Sequence, residues 1–532
     1  MTSEPAQNSS YILAVDLGTS GCKVALVAED GAVAGWAFRP VGVDIIDGHG
    51  AEQSPDDWWR AFLESAGEAL AVSRVPRDRV LAVCCSTQGE GTVAVDRDGK
   101  ALMNAVIWMD MRGADDLRRH VARGVRLFGY NPLRLMRWLR LTGGAPALSG
   151  KDPAAHMLLI RNRFPDIYQR TYKFLNVLDY FNLRLTGRFV ATHDSILTSW
   201  VTDNRDVDRV RYDARLVAGS GIDPDKFPDI VPCTEVLGPL LPGIAGALGL
   251  PAATQVVAGA IDNSAAAIGA GTIEDGDPHL YIGSSSWFGA HMPRKRTDIA
   301  TQIASVPCAL PGKYLMIAMQ TSAGNNLSFL KERVLFHKDA LPIDSQVPDF
   351  YRLLDQIAGS VRPGADGLIY TPWLFGERCP VEDRSLRAGL FNLSLEHSRE
   401  TIIRAFFEGV ALNTRWMVEP VERFTGRRLR RLTMLGGGAA SEVWCRIFAD
   451  ALGVPIRQLD EPMQGNALGA ATIARVGLGL TGFAEAAERT RIRATYDPDP
   501  ANRAVYDRNF GTFTELYRRL GPLYRRLQPG GA

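Results

Sequence analysis

The segment from Asp16 to Lys23 places an acid, two hydroxyls and two glycines in one short turn. Glycines let a backbone bend so that successive N–H groups point at one anion. A carboxylate such as Asp16 can also hold a hydrated Mg²⁺. The pattern favours a phosphate-binding turn, although an ordinary tight hairpin would carry similar residues. The candidate phosphate-binding residues are Gly18, Thr19, Ser20 and Lys23, with Asp16 as the candidate metal-binding residue.

A second polar corner, Gly283-Ser284-Ser285-Ser286, follows a later apolar run. Taken alone it is best interpreted as a polar turn. As the partner of the first corner, it could clasp a polyphosphate from the opposite side, with Gly283, Ser284 and Ser285 as the binding residues. The pattern of strand, Gly/Ser corner and strand occurs at both places and indicates two similar halves that face one another.

Asp262 lies in the segment AGAIDNSAAAIG, where small apolar residues flank it on both sides. A carboxylate partly shielded at a junction between strand and helix suits a general base with a tuned pKa. An aspartate before a helix is also a common N-cap. Both interpretations remain open, and they are compatible.

Polar side chains also follow buried strands around residues 87–91 and 108–112. Such groups could hold a polyhydroxyl substrate, and an aromatic ring can lie against a sugar face. Any single member could instead belong to a solvated loop or a surface ion pair. The candidate substrate-binding residues are Gln88, Glu90, Trp108, Asp110 and Arg112, together with Asp262.

The segment LGGGAASEVWCRIFADALGVPIRQLDE has glycines after a strand, then a helix, then Asp460 at the next strand end. This superficially fits a dinucleotide fingerprint, but its spacing is GxGxxS and the match is weak. The sequence has no GxxxxGK[ST] loop, which excludes a P-loop enzyme. The candidate nucleotide-binding residues here are Gly436, Gly437, Gly438 and Ser441.

The elements that must position these residues read as alternating strands and helices, which is an α/β pattern. The chain opens as a meander, with predicted strands at 11–15, 22–28 and 33–38. Ser54-Pro55-Asp56-Asp57 is a typical helix start. A second alternation begins near Val256, and aromatic residues between Tyr506 and Tyr517 predict a docked terminal helix.

Length and composition exclude several classes of protein. A chain of 532 residues is too long for one core, so two or more domains are expected. The net charge of +1 gives no bulk field for nucleic acid or membrane. Seven scattered cysteines without a CxxC pair argue against disulfides and structural zinc. Without a basic N-terminal region or a long apolar run, we expect a cytoplasmic protein that binds neither nucleic acid nor membrane.

The stretch from Leu117 to Lys151 has no acidic residue and contains seven arginines. One interpretation is an exposed helical pair whose long Arg stems cover apolar surface. The other is a binding site for phosphate or an acidic partner. The first is favoured, and the sequence alone does not decide between them.

Together these segments resemble the FGGY family of carbohydrate kinases from about Tyr11 to about Tyr517. DLGTSGCKV looks like its first phosphate loop, and LYIGSSSWFG like its second. IWMDMR resembles its sugar-side element, and GAIDNSAAAIG the segment that carries its catalytic aspartate. MLGGGAASEVWCRIFADALGVPI resembles its adenosine-binding strand, turn and helix.

The resemblance implies two actin-like (ribonuclease H-like) domains with a cleft between them. They would comprise a sugar-binding domain over residues 1–258 and an ATP-binding domain over residues 259–532. It also implies an ATP- and Mg²⁺-dependent phosphoryl transfer in which Asp262 is the catalytic base. A homodimer is a further expectation.

The substrate is less well indicated. This chain has Gln88-Gly89-Glu90-Gly91 where the xylulokinase branch carries QMHG, and Gly89 replaces an arginine of the glycerol kinase branch. A helix signature with Lys and Trp has His156 and Leu159 instead. A ketopentose such as xylulose or ribulose is the first expectation, a pentitol or tetritol the second and glycerol the third. Two rivals are a non-catalytic sugar sensor and an NAD-dependent dehydrogenase, which would need a helix directly after the first strand.

Overall fold

The computed structural model describes residues 9–122, 124–127, 129–335 and 349–527. Its first part contains fifteen strands and nine helices. The strands are β1 (Tyr11–Gly18), β2 (Gly21–Ala28), β3 (Val33–Pro40), β4 (Asp44–Ile46), β5 (Gly50–Gln53), β6 (Val80–Thr87), β7 (Val93–Val95), β8 (Ala105–Val106), β9 (Lys173–Leu175), β10 (Val190–Thr192), β11 (Thr202–Asp203), β12 (Arg211–Tyr212), β13 (Asp229–Val231), β14 (Val236–Pro239) and β15 (Gln255–Ile261). The helices are α1 (Pro55–Ser73), α2 (Ala114–Val121), α3 (Pro132–Leu141), α4 (Pro153–Arg163), α5 (Pro165–Arg170), α6 (Val177–Thr186), α7 (Ala214–Ser220), α8 (Pro242–Leu248) and α9 (Asp262–Gly269).

The second part contains ten further strands and seven helices within the described ranges. The strands are β16 (Pro278–Ile282), β17 (Ser286–Met292), β18 (Thr297–Asp298), β19 (Ile303–Pro307), β20 (Tyr314–Gln320), β21 (Ile369–Thr371), β22 (Gly389–Phe391), β23 (Leu432–Leu435), β24 (Ile456–Leu459) and β25 (Ile492–Tyr496). The helices are α10 (Gly324–Phe329), α11 (Phe350–Ser360), α12 (Arg399–Thr425), α13 (Glu442–Leu452), α14 (Gly465–Gly477), α15 (Phe483–Glu488) and α16 (Arg503–Leu527).

The first large sheet has the strand order β14-β15-β6-β1-β2-β3. β1 and β2 form an antiparallel hairpin, and β3 continues the meander, as the sequence predicts. β6 and β15 run parallel to β1 on its other side. The hairpin directly after β1 contradicts the dehydrogenase alternative, because a dinucleotide-binding fold places a helix there.

The second large sheet repeats this arrangement. Its order from β25 to β20 is β25-β24-β23-β16-β17-β20, with β19 and β18 added at the edge. β16 and β17 form an antiparallel hairpin, and β23 and β24 are parallel to β16 and to each other. At the six strand positions that the two sheets have in common, the strands run in the same relative directions. The pattern of strand, corner and strand that occurs twice in the sequence therefore reflects a repeated architecture.

Two small-residue helices pack backbone to backbone between the halves. α9 follows β15 of the first sheet, and α14 lies late in the chain. A Cβ on Gly469 would lie 1.9 Å from the carbonyl oxygen of Ala265, and one on Gly269 would lie 1.9 Å from that of Gly465. Only glycine permits this approach. Residues of both helices share an apolar cluster with β1, β6 and β15, so α14 packs against the first sheet.

The terminal helix is docked, as expected. Tyr506 and Phe513 of α16 are fully buried and belong to the core of the second half.

The Arg-rich stretch includes α3 and most of α2, which agrees with the predicted helical pair. Its Arg123 lies outside the described residues.

The domain boundary near Ala258 stays a prediction, and β15 pairs with the first sheet as far as Ile261.

Candidate active site

The first corner joins β1 to β2 at the edge of a buried strand. Asp16 is 6 % exposed, whereas Ser20 at the tip is open to solvent. A Cβ on Gly21 would lie 2.4 Å from the carbonyl oxygen of Arg39, so this position needs glycine. The hairpin therefore presents its tip with little side-chain bulk, which suits the approach of an anionic ligand.

Asp16 links the first corner to the segment that leads into α14. Lys23 Nζ lies 3.1 Å from Asp16 Oδ2 and donates to the carbonyl oxygen of Met463 over 2.7 Å. Asn466 Nδ2 donates to Asp16 Oδ1 over 3.1 Å. Both oxygens of the candidate metal-binding carboxylate are thus held by side chains that tie the two halves together.

The second corner is braced by its own backbone. Gly283 N–H donates to the carbonyl of Ser285 over 2.9 Å, and Ala323 N–H donates to that of Ser284 over 2.9 Å. The N–H of Gly283 is therefore already used, while Ser284 is exposed. Burial raises the pKa of Tyr281, which lies two residues before this corner, and the charges of Asp16 and Asp262 add to that rise. Both corners therefore lie in one electrostatic neighbourhood.

Asp262 is the first residue of α9, where it is half-buried. Burial raises the pKa of its carboxyl to about 7, and the charge of Asp16 adds to this effect, with smaller contributions from Glu90 and Asp194. Its Oδ1 accepts from the N–H of the adjacent Asn263 over 2.8 Å. The N-cap position belongs to Ile261, so the N-cap interpretation of Asp262 is wrong. The carboxyl keeps one oxygen without a hydrogen bond to the described residues.

Three predicted residues form a hydrogen-bonded chain beside the first corner. Trp108 Nε1 donates to Thr19 Oγ1 over 2.9 Å, and Thr19 Oγ1 donates to Gln88 Oε1 over 2.9 Å. Gln88 Nε2 donates to Gln53 Oε1 over 2.7 Å. This chain fixes the indole ring next to the phosphate corner and occupies the Thr19 hydroxyl, which is therefore not a free phosphate donor.

Asp110 and Arg112 form a buried framework rather than an open binding surface. Asp110 is fully buried, and its oxygens accept from the N–H of Ala51, from the N–H of Arg112 and from Arg112 Nε. Arg112 Nη2 lies 2.5 Å from Glu52 Oε1. The Asp110 carboxylate is closed off from solvent and its three hydrogen bonds come from the chain itself, two of them from Arg112. Direct binding of substrate by Asp110 stays a prediction.

Glu90 lies at the tip of the loop after β6 with a φ of +59°, an unusual backbone conformation for a residue other than glycine. Burial raises the pKa of its carboxyl, and the charges of Arg378 and Lys151 oppose that rise. Lys151 Nζ lies 5.8 Å from the ring centre of Trp108 and 5.7 Å from that of Phe375. Residues from both halves therefore meet at the predicted sugar end of the cleft.

The Gly436 turn follows β23, as the sequence predicts. Gly436 has a φ of +92°, and a Cβ there would lie 2.5 Å from the carbonyl oxygen of Ile282. A Cβ on Gly437 would meet nothing within 4 Å, so the turn is open on that side. Ser441 caps α13 by accepting from the N–H of Trp444, and its hydroxyl donates to Asp355. The Ser441 side chain is therefore committed to the fold.

The structure brings the two corners, Asp262 and the Glu90 loop into one neighbourhood. The Asp110 carboxylate and the Thr19 and Ser441 hydroxyls make hydrogen bonds within the chain, and their ligand contacts stay predictions. The sequence did not single out Lys151, Arg378 or Asn466, because each is an isolated polar residue until the chain folds. Lys151 is the last residue of the acid-free stretch, and this position was the only feature of the sequence that pointed to it.

The described ranges contain no group of three or more His, Cys, Asp or Glu residues that could hold a metal ion. None of their helices is long and apolar enough to span a membrane.

Comparison with known proteins identifies the architecture. Residues 11–269 match the N-terminal domain of the FGGY family of carbohydrate kinases, and residues 280–478 match its C-terminal domain. A xylulose kinase from Bacillus subtilis (strain 168) is 28 % identical over 521 residues, which cover 97 % of this chain and 99 % of that protein. A gluconokinase from the same organism is 25 % identical, covering 98 % of this chain and 96 % of that protein. The crystal structure of xylulose kinase from Rhodospirillum rubrum superposes with a TM-score of 0.78 at 26 % identity, covering 97 % of this chain and 99 % of that one.

Proposed function

Because the chain belongs to the FGGY family of carbohydrate kinases, we propose that it transfers the γ-phosphoryl group of ATP to a hydroxyl of a ketopentose, with xylulose as the first choice. The observation that supports this chemistry best is the Asp262 carboxyl. It stands at a helix start beside both corners, with a pKa raised to about 7. A base of that pKa can accept a proton from a hydroxyl near neutral pH.

Asp262 would accept the proton of the attacking hydroxyl as its oxygen bonds to the γ-phosphorus, while the bond from that phosphorus to the β,γ-bridging oxygen breaks and ADP leaves. The Asp262 carboxyl has a pKa raised to about 7, whereas the Asp16 carboxyl is engaged by Lys23 and Asn466. N–H and hydroxyl groups of the corners, with Lys23, would stabilise charge on the phosphates. Closure of the halves around the cleft would keep water from competing as the nucleophile.

Asp16 fits a Mg²⁺ site of the kind that keeps several waters. Mg²⁺ in kinases is bound by one or two carboxylates together with substrate phosphates. The described residues offer one such carboxylate here and no dense cluster of ligands. Bound in this way, Mg²⁺ supplies charge neutralisation on the phosphates. Lys23 and Asn466 hold the Asp16 carboxyl in place beside the first corner.

The remaining site residues divide between the two ligands. We assign the adenosine end of ATP to the open Gly436–Gly438 turn and the phosphates to Gly18, Ser20, Lys23, Ser284 and Ser285. The sugar lies against Trp108, with Glu90 and Gln88 near its hydroxyls and with Arg112, held by Asp110 and Glu52, on the same side. The assignment to domains follows, with sugar mainly on residues 1–258 and ATP mainly on residues 259–532. Homodimer formation and a cytoplasmic location stay predictions.

The choice of xylulose is supported by the named relatives. The xylulose kinase of Bacillus subtilis (strain 168) aligns over nearly all of both chains. The corresponding protein of Escherichia coli (strain K12) is also 28 % identical, over 516 residues that cover 96 % of this chain and 99 % of the relative. The Glu90 loop is the place where this chain would depart in detail from other ketopentose kinases.

Gluconate is the second candidate, and Lys151 is the observation that favours it. Its ammonium lies between two aromatic rings, and burial and the charges of Arg384 and Arg378 lower its pKa. A carboxylate on the acceptor would stabilise this cluster of cations. A Lys151→Met variant should then raise the KM for gluconate strongly while changing that for xylulose much less.

The experiment is ADP release from ATP and Mg²⁺ with a panel of acceptors. The panel contains D-xylulose, D-ribulose, a pentitol, a tetritol, glycerol and gluconate. The highest kcat/KM should belong to D-xylulose, with gluconate as the alternative outcome. ATP binding without ADP release for any acceptor would contradict the kinase and favour a non-catalytic sugar sensor.

A further inference from the structure

Asp194 is a buried carboxylate outside the set of residues that face the cleft. It follows β10 and is 1 % exposed. Its Oδ1 accepts from Thr192 Oγ1 over 2.6 Å and from Cys233 Sγ over 3.5 Å. Its Oδ2 accepts from the N–H of Ile261 over 3.1 Å. Asp194 therefore connects two elements of the first half to the end of β15.

The Ile261 contact lies at the start of the helix that carries Asp262. Ile261 occupies the N-cap position of α9, where its apolar side chain makes no capping hydrogen bond. A helix start leaves N–H groups that need acceptors. Asp194 supplies a carboxylate oxygen at this point from 67 positions earlier in the chain.

We propose that Asp194 is the positioning residue for Asp262, acting as a cap supplied from a remote part of the chain. It fixes the backbone directly before Asp262 through the N–H of Ile261, and so sets the direction in which the catalytic carboxylate points. The proposal rests on the role of Asp262 in the proposed function. Asp194 itself touches neither substrate in this arrangement.

The neighbouring Asp179 provides a matched control. It is fully buried, like Asp194, and belongs to the same polar network. Its oxygens accept from Ser195 Oγ over 2.7 Å and from the N–H of Asn176 over 3.0 Å. It caps α6, and none of its hydrogen bonds reaches β15 or α9. A loss of general stability should affect both positions, whereas a loss of positioning should affect Asp194 alone.

The test compares Asp194→Asn with Asp179→Asn, with D-xylulose or the panel acceptor that supports ADP release. An asparagine presents N–H₂ on one side and cannot accept from both Thr192 and Ile261. Small displacements of a catalytic group cost up to about 10²-fold in rate. We therefore expect kcat of the Asp194 variant to fall about 10- to 100-fold with the KM for ATP within about twofold. The Asp179 variant should keep kcat within about twofold of the unmodified protein.

A double variant shows whether Asp194 acts through Asp262. In an Asp262→Ala background, Asp194→Asn should produce no further fall in the residual rate. A further 10- to 100-fold fall in rate in the Asp262→Ala background would overturn the proposal. A folded Asp194→Asn variant with a kcat near that of the unmodified protein would also overturn it. So would a loss of kcat in Asp179→Asn equal to that in Asp194→Asn. If the unmodified protein releases no ADP with any acceptor of the panel, that result would instead contradict the proposed function, and the inference with it.

Discussion

At the scale of single residues, the site is an arrangement of carboxyls whose environments differ. Asp16 is held by a lysine and an asparagine, Asp110 accepts three hydrogen bonds from the chain, and Asp262 has a raised pKa. One residue type thus serves as the metal candidate, as a structural anchor and as the candidate base. Burial and neighbouring charge, rather than residue identity, separate these roles.

The raised pKa of Asp262 predicts an acidic limb in the plot of kcat against pH, which is the range below the pKa where kcat falls. The base works only when it is deprotonated, so kcat should fall about tenfold for each pH unit below about 7 and level off above it. The charge of Glu90 contributes to the shift, so Glu90→Gln should lower the pKa and move the limb to lower pH. The measurement is kcat against pH for the acceptor with the highest turnover.

Glu515→Gln is the control for this profile, because Glu515 lies on the exposed side of α16 and pairs with Arg519. The acidic limb of kcat against pH for Glu515→Gln should coincide with that of the unmodified protein. A limb that stays at the same pH in Glu90→Gln would contradict the electrostatic link between Glu90 and Asp262.

At the scale of elements, the terminal helix is fixed by a buried ionic group. Glu408 of α12 accepts from Arg404 Nε over 2.7 Å, from Tyr506 Oη over 2.9 Å and from the N–H of Gly364 over 2.9 Å. Arg404 Nη2 also donates to Tyr506 Oη over 3.0 Å. The group joins α12 to α16 and to the loop before β21.

Removing the Glu408 carboxylate leaves the Arg404 charge buried without its partner. We expect Glu408→Ala to lower the free energy of unfolding by about 3–5 kcal/mol. Tyr506→Phe, which deletes one hydrogen-bonding group and keeps the ring, should cost about 1–2 kcal/mol. Urea unfolding followed by fluorescence measures both. A cost for Glu408→Ala no larger than that for Tyr506→Phe would show that the ion pair does not anchor α16.

Much of the element pattern could be predicted from the sequence, and the failures have physical reasons. The β1–β2 hairpin, the start of α1 at Pro55 and the strand, turn and helix at Gly436 follow from turn glycines, a capping serine and apolar spacing. Asp110 was expected to face the substrate, but tertiary hydrogen bonds from Ala51 and Arg112 bury it. The contributions of Lys151 and Asn466 depend on contacts distant in sequence, which local patterns do not contain.

At the scale of the whole molecule, α9 and α14 pack backbone to backbone and share an apolar cluster with the first sheet. The glycines of this contact allow backbone approach that any side chain would prevent. Asp262 begins α9, Asn466 in the first turn of α14 contacts Asp16, and Met463 just before α14 contacts Lys23. A change in helix spacing should therefore reach both catalytic regions at once.

Gly469→Ala tests this contact. Its Cβ would lie 1.9 Å from the Ala265 carbonyl oxygen, so the helices must separate. We expect a loss of about 1–3 kcal/mol in stability, typical of overpacking, together with a lower kcat. Gly511→Ala in α16 is the matched control, because its Cβ would meet nothing within 4 Å and should leave activity unchanged. Calorimetry and steady-state kinetics give the two readouts, and full activity in Gly469→Ala would contradict the coupling.

The measurement that tests the central claim most directly compares acceptor-dependent ADP formation and ATP affinity in the unmodified protein and in Asp262→Ala. General base catalysis is typically worth about 10²–10⁴ in rate, so kcat should fall by that factor. ATP affinity should stay within about threefold, because Asp262 serves the transferred proton rather than nucleotide binding. A variant that keeps full turnover with the acceptor would contradict the assignment of Asp262 as the base and the mechanism built on it.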